Sequence, residues 1–206
     1  MAHESPLYYV VGQLGDPQHF RLESKFILGL TLRIPRAVDI PTVMDILQNK
    51  ANSEFDKSIS EATVEELETI AQRWTTVADP PTHVNFLVCK NEQPLGIAGL
   101  GWIGPVAGHD EGAHSPVERA GAAGVMLQPF ARGGGYAYEA LRLVFEYGLR
   151  ELGLTEIRVG SHSDNLPMRG LMEKRFGLQP ERKTEGSAID RFGNDLLWVV
   201  KREGSH

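Results

Sequence analysis

The sequence predicts an α+β domain built on a mixed sheet, and three observations lead to that class. Alternating apolar runs and runs of helical spacing follow one another in the order β-α-α-β-β-β-α-β-α-β. His83–Lys90 and Pro94–Ile103, two apolar runs separated by Asn91-Glu92-Gln93, read as an antiparallel hairpin. Late in the chain, a strand passes through a glycine run into the strongest helix of the sequence, making a β-turn-α-β unit.

The elements follow in order. Residues 1–25 read as an N-terminal extension to one domain over 26–206, and Tyr8–Val11 within it fits a short strand or a lid equally. Phe26–Arg33 alternates loosely and predicts a strand. Ile40–Gln48 carries Ile40, Val43, Met44 and Leu47 at helical spacing, with Asp39 placed as its N-cap. Thr63–Thr75 predicts a second helix: Thr63 and Glu66 form a capping-box pattern, and Leu67, Ile70, Ala71 and Trp74 share a face. After the hairpin, Pro105–Arg119 is polar and reads as a solvated loop; the spacing of His109, Asp110, Glu111, His114 and Glu118 matches no zinc or EF-hand pattern. Ala120–Leu127 predicts a strand, Ala137–Leu152 a helix with Gly153 as its C′ residue, Glu156–Ser161 a strand, Leu166–Arg175 a helix, and Leu196–Lys201 the last strand.

Composition narrows the function. The 206 residues are 41% hydrophobic and 23% charged, enough for a single domain with a real core, and no run approaches the ~20 apolar residues of a membrane span. Met1–Pro6 has neither a basic nor an apolar signal region, so a cytoplasmic location is expected. Cys89, the single cysteine, sits in an apolar run and reads as a buried, inert thiol. A formal net charge of −6 with no Lys/Arg block argues against nucleic acid as a partner, and nothing points to a membrane. The same charge requires that any anionic cofactor be held by local donors.

Arg132-Gly133-Gly134-Gly135-Tyr136-Ala137, between a strand and a helix, supplies such donors. Glycines let several backbone N–H groups converge on one anion at the positive end of a helix, and Arg132 adds a planar fork suited to phosphate oxygens. The run lacks the Gly-Lys-Ser/Thr ending of a P-loop. Tyr138 stands where the dinucleotide fingerprint needs its third Gly or Ala.

Pro129-x-x-Arg132-Gly133-x-Gly135-x-Ala137 resembles the Arg/Gln-x-x-Gly-x-Gly/Ala motif of the GNAT acetyltransferase superfamily. Gly135-Tyr136-Ala137-Tyr138-Glu139-Ala140-Leu141 is similar to the branch containing ribosomal-protein N-terminal acetyltransferases. Leu32-Arg33-Ile34-Pro35 with Asp39 resembles that branch's opening strand, and Asn165 followed by Glu173-Lys174-Arg175-Phe176-Gly177-Leu178 resembles a second block of the family. The resemblance implies the GNAT fold: a mostly antiparallel sheet, helices on both faces, and a splayed strand pair that binds the cofactor. It further implies acetyl-CoA as acyl donor, no metal, and an amine acceptor, either a small molecule or a protein N-terminus. By the same resemblance Val125, Met126 and Leu127 offer backbone groups to the pantetheine arm, while Arg132, Gly133, Gly134, Gly135, Tyr136 and Ala137 hold the pyrophosphate. Asn165 stands beside the cofactor arm, although its place before Leu166-Pro167 also suits a helix cap.

The catalytic pattern departs from that family. Relatives carry a general-base Glu on the strand before the cradle or five residues before the Asn, and those positions hold Ala122, Ala123 and Gly160. The Tyr that protonates the leaving thiolate is replaced by Met172. His162, on the same pleat face as Gly160, is the substitute base to consider, through water and oriented by Asp164; a solvated loop histidine is the plainer alternative. Two function classes follow: an N-acetyltransferase, or a non-catalytic acyl-CoA-binding module that kept the cradle alone. Thiol release from acetyl-CoA in the presence of amines separates them.

Overall fold

The computed structural model describes residues 6, 8–106, 118–182 and 193–201. Its N-terminal part decides the question left open at Tyr8–Val11. That segment is strand β1, antiparallel to β2 (Arg21–Ser24), which pairs in turn with β3 (Leu30–Arg33). Tyr8, Phe20 and Leu22 reach the main core, so residues 8–24 continue the sheet. The strand expected over Phe26–Arg33 begins only at Leu30, because Leu30 N–H turns back onto the Ile27 carbonyl at 3.0 Å.

Helix α1 occupies Ile40–Gln48, as its spacing predicts, and Asp39 stands at its N-cap position, but the Asp39 side chain makes no cap bond. The Asp39 carboxylate instead receives the Arg33 fork at 2.6 and 2.8 Å and the Arg36 N–H at 2.7 Å. A charged fork offers a stronger hydrogen bond than a helix amide, so the cap loses the competition. Burial works to raise the Asp39 pKa, yet the Arg33 and Arg36 bonds outweigh it and hold the carboxyl below the usual carboxylate range. Two short helices follow that the periodicity does not reveal, α2 (Lys50–Ser53) and α3 (Lys57–Ser60). Asn49 and Asp56 cap them, accepting the Ala51 and Ser58 N–H groups at 3.1 and 3.0 Å. Helix α4 (Val64–Arg73) opens on the predicted capping box: Thr63 Oγ1 accepts the Glu66 N–H at 3.2 Å, and Glu66 Oε2 accepts the Thr63 N–H at 2.8 Å.

Strands β4 (Val84–Lys90) and β5 (Gln93–Pro105) form the expected hairpin with a tighter turn, since Lys90 pairs directly with Gln93. Asn91 and Glu92 both take positive φ, 48° and 65°, the backbone a two-residue type I′ turn requires. β6 (Arg119–Leu127) lies antiparallel to β5, with a bulge between Leu100 and Trp102. Helix α5 (Tyr136–Arg150) follows, ending before the expected Leu152 with Glu151 as C-cap, so Gly153, at φ +65°, lies one residue past the C′ position, and Leu154 N–H reaches the Gly148 carbonyl at 3.0 Å. Then come β7 (Glu156–Ser161), α6 (Leu166–Arg169), a π-helical turn over Gly170–Arg175, β8 (Glu181–Arg182) and β9 (Leu196–Lys201).

Among the described residues nine strands make one sheet in the order β1-β2-β3-β4-β5-β6-β7-β9-β8. Every pair is antiparallel except β6–β7. Strand pleat divides the core between two faces. Phe86 and Val88 of β4 join Leu141, Val144 and Phe145 of α5 on one face. Leu87 and Cys89 join Val43, Ile46 and Leu47 of α1 and Leu67 and Ala71 of α4 on the other. Cys89 is fully buried there, and burial pushes its thiol up to about 11, consistent with an inert packing role.

Candidate active site

The site begins where β6 and β7 part. Their parallel ladder runs only through Ala120–Glu156, Gly121–Ile157 and Ala122–Arg158. Beyond Ala122, β6 continues to Leu127 paired to β5 alone. Among the described residues, its β7-facing backbone groups past that point have no strand partner. Unpaired peptide groups beside a cleft are ready donors and acceptors for an extended ligand. Val125 and Met126 sit there half-buried and Leu127 is buried.

The glycine run lies at the end of that strand. Gln128 N–H holds the Leu95 carbonyl at 2.9 Å, and a single 3-10 turn over Pro129–Ala131 redirects the chain. Gly133 and Gly135 take φ of +84° and +77°, conformations that strain any side chain, and a Cβ at either would point into open space. Gly135 is the N-cap of α5, whose first backbone bond runs from Glu139 N–H to the Gly135 carbonyl at 3.1 Å. The amides of Tyr136, Ala137 and Tyr138 therefore have no intrahelical acceptor, and they converge at the positive helix end. The bare glycine edge, the open space beside it and the free helix amides fit a diphosphate. Tyr136 lays its ring over Gly134, 2.7 Å from where a Cβ would stand, and Ala137 packs against the core.

Two side chains of this region behave in ways the sequence did not announce. The Arg132 fork, expected to face phosphate, is engaged with the protein: Nε donates to the Leu127 carbonyl at 3.1 Å, and Nη2 donates to the Ala51 carbonyl at 2.8 Å and Asn52 Oδ1 at 2.7 Å. Glu139, only 3% exposed in the first turn of α5, accepts the Ser24 hydroxyl and the Arg142 Nε (2.9 Å) and Nη2 (2.5 Å). That cluster pins β2 to the head of α5. The Glu139–Arg142 spacing of three was its only sequence signal.

Across the splay the wall comes from three distant segments. The His162 ring stacks near Phe55, with centroids 6.3 Å apart and planes at 18°. Lys57 of α3 runs beside Gly193. Ser163 donates its N–H and hydroxyl to Asp195 at 2.6 and 2.7 Å. Desolvation opposes ionisation of Asp195, but these bonds prevail and keep its carboxyl below the ordinary range. His162 Nδ1 accepts the Asp164 N–H at 3.2 Å and lies 3.6 Å from Asp164 Oδ2. In the neutral ring that bond leaves the proton on Nε2, making Nε2 a donor rather than a lone pair. Asn165 Oδ1 accepts the Met168 N–H at 3.2 Å, so the cap role of this residue is realised.

The positions where relatives keep a base or an acid are occupied by inert groups. Ala122 is exposed and Ala123 buried, while at Gly160 a Cβ would meet Asn194 Nδ2 at 2.6 Å. Met172 is wholly buried on the π-helical turn. Among the described residues, no group of three or more His, Cys, Asp or Glu is able to hold a metal ion. His109, Asp110, Glu111 and His114 lie outside the described residues.

Comparison with known proteins bears on the whole assembly. Residues 29–176 match the family model described as the acetyltransferase (GNAT) domain. No curated protein sequence matches the chain. By structure it is similar to RimL, a ribosomal L7/L12 alpha-N-protein acetyltransferase in complex with coenzyme A. That likeness has a TM-score of 0.67 and 14% identity, over 86% of this chain and 97% of that one. It is also similar to spermidine N-acetyltransferase from Vibrio cholerae in complex with CoA and spermine (TM-score 0.63, 17% identity, 84% and 95% coverage). A third is the microcin C7 self-immunity acetyltransferase MccE in complex with acetyl-CoA and AMP (TM-score 0.65, 14% identity, 87% and 96% coverage). These likenesses show the fold alone, an open mixed sheet with helices. With the family model spanning well over half of the residues, the chain belongs to the GNAT acetyltransferase family.

Proposed function

We propose that the enzyme acetylates a primary amine of low basicity, an α-amine of a protein N-terminus or small molecule, by direct attack on the thioester. Bound acetyl-CoA supplies an activated acyl carbon and a thiolate leaving group. The chain's own contribution is position. The end of β6, over Val125, Met126 and Leu127, holds the pantetheine arm through the peptide groups not spent on β5, and the amides of Gly133, Gly134, Gly135, Tyr136 and Ala137 hold the pyrophosphate. Asn165, fixed as a cap at the mouth of the splay, borders that arm.

The observation that carries the choice of amine is the inertness of Ala122, Ala123, Gly160 and Met172. Removing a proton at pH 7 from a Lys-like amine of pKa about 10.4 costs about 4–5 kcal/mol, against ~1 kcal/mol for an α-amine near 8. A site with no base at those positions meets the second cost easily, and a thiol with a pKa of about 8.5 leaves without a strong acid. Holding amine and thioester together supplies several kcal/mol more.

The test is thiol release from acetyl-CoA with paired acceptors, a short peptide with a free N-terminus against the same peptide N-blocked and carrying one Lys. A kcat/KM about 100-fold higher for the free N-terminus at pH 7 is expected. Equal rates would overturn the amine class. Tight CoA binding without turnover on any amine would instead mark a binding module.

A further inference from the structure

Arg132 belongs to the cradle by its main chain and to the opposite wall by its side chain. Its own N–H closes the 3-10 turn on the Pro129 carbonyl at 3.3 Å, and Gly133 follows it directly. Its Nη2 meanwhile grips α2 at the Ala51 carbonyl and Asn52 Oδ1. A second tie runs parallel: Gln128 Oε1 accepts from Asn49 Nδ2 at 2.8 Å and from Asn52 Nδ2 at 3.2 Å. Asn52 Nδ2 also reaches the Ile46 carbonyl at 3.0 Å. Both ends of α2 are thus fastened to Gln128 and Arg132, the residues that bracket the turn into the cradle.

Helix α2 has four residues, far too few to persist on its own helical bonds, so its place depends on these side-chain ties. Two residues beyond it stands Phe55, whose ring faces His162 across the cleft. We infer that Arg132 is a positioning residue that couples the two halves of the site: an anion settling on Gly133–Ala137 orders the loop, the loop sets the Arg132 fork, and the fork sets α2 and Phe55 as the acceptor wall. The inference rests on the proposed seat of the CoA pyrophosphate. It removes the Arg132 guanidinium from the list of phosphate ligands. Binding linkage then makes the effect reciprocal, with donor and acceptor each raising the other's affinity by the same factor, about tenfold.

The experiment uses the full chain, wild type, Arg132→Gln, Asn52→Ala and the double variant. Hydrogen exchange of residues 49–55 is followed with and without CoA, beside CoA calorimetry and steady-state kinetics. In the wild type, CoA slows exchange across this segment. Arg132→Gln abolishes that protection, shifts the CoA Kd by less than about threefold, and raises the acceptor KM by about tenfold, more than it lowers kcat. Asn52→Ala reproduces the KM defect, and the double variant adds little, as expected of partners in one contact. The inference is overturned if Arg132→Gln weakens CoA by more than tenfold while Asn52→Ala is silent, because the fork would then be a phosphate ligand. It also fails if CoA binds the wild type and leaves exchange at 49–55 unchanged. A wild type that binds no CoA removes the functional reading itself.

Discussion

The two sides of the β6–β7 splay are built from different material. The proposed donor side is main chain from one continuous stretch, the end of β6 and the glycine run at the head of α5. The proposed acceptor side is side chain from three separate places, Phe55 and Lys57 near α3, His162 and Ser163 after β7, and Asp195 before β9. A ligand gripped by backbone amides needs glycine at particular φ values, and glycine is visible in a sequence. A wall of side chains gathered across more than a hundred residues carries no such mark. The contrast also has a functional edge: the donor half is preorganised by strand and helix, whereas the acceptor half hangs on short helices and loops that side-chain ties hold in place.

The largest expected effect tests the donor half. Gly135→Val places a β-branched residue at φ +77° and puts methyl groups beside the helix amides. CoA affinity measured by calorimetry should fall about 100-fold, or about 2.7 kcal/mol. Full affinity in this variant would break the claim that main chain at this point holds the cofactor.

A smaller effect tests the scaffold under the acceptor half. Asp39 joins β3 to α1 through the Arg33 fork, with only 11–13% of the paired side chains exposed. Asp39→Asn should lower stability by about 2 kcal/mol at pH 7, read from the urea midpoint at unchanged slope. The sign in pH follows from the depressed carboxyl. The folded state binds its proton less readily than the unfolded chain, so the wild-type contribution is complete above the ordinary Asp pKa of about 3.9 and fades as pH falls through the folded value. The variant should lack that part of the acid loss. An unchanged acid profile would mean that another carboxylate carries it.

The smallest effect sharpens the chemistry. With Nδ1 engaged by the Asp164 amide, His162 has no lone pair on Nε2 in its neutral form. His162→Gln should therefore reduce kcat/KM by less than about threefold, below the usual contribution of a general base, and leave the pH–rate limb in place. A lost limb would restore the imidazole as the base.

Legibility divides along the same line. Helix α1, the capping box of α4, β7, β9 and the glycine turn into α5 were all readable, because each rests on contacts within a few residues or on a period that burial imposes. Strand β1 was left open and β2 was not read, since four residues each are too short to show a period; the sheet edge they extend determines them. The same shortness hid α2 and α3. Asp39 looked like a cap because its sequence neighbours allow one, and only the folded chain brings the Arg33 fork to it.

By itself, then, the sequence determined what depends on local backbone freedom and periodicity: the alternation of elements, the hairpin, and a glycine turn at the start of α5. Tertiary structure alone decided where long side chains end. Arg132 was written as a phosphate fork and lands on Ala51 and Asn52, eighty-odd residues away in the chain. A guanidinium takes whichever carbonyls the fold brings within reach of its flexible stem, and no spacing rule in one dimension encodes that proximity.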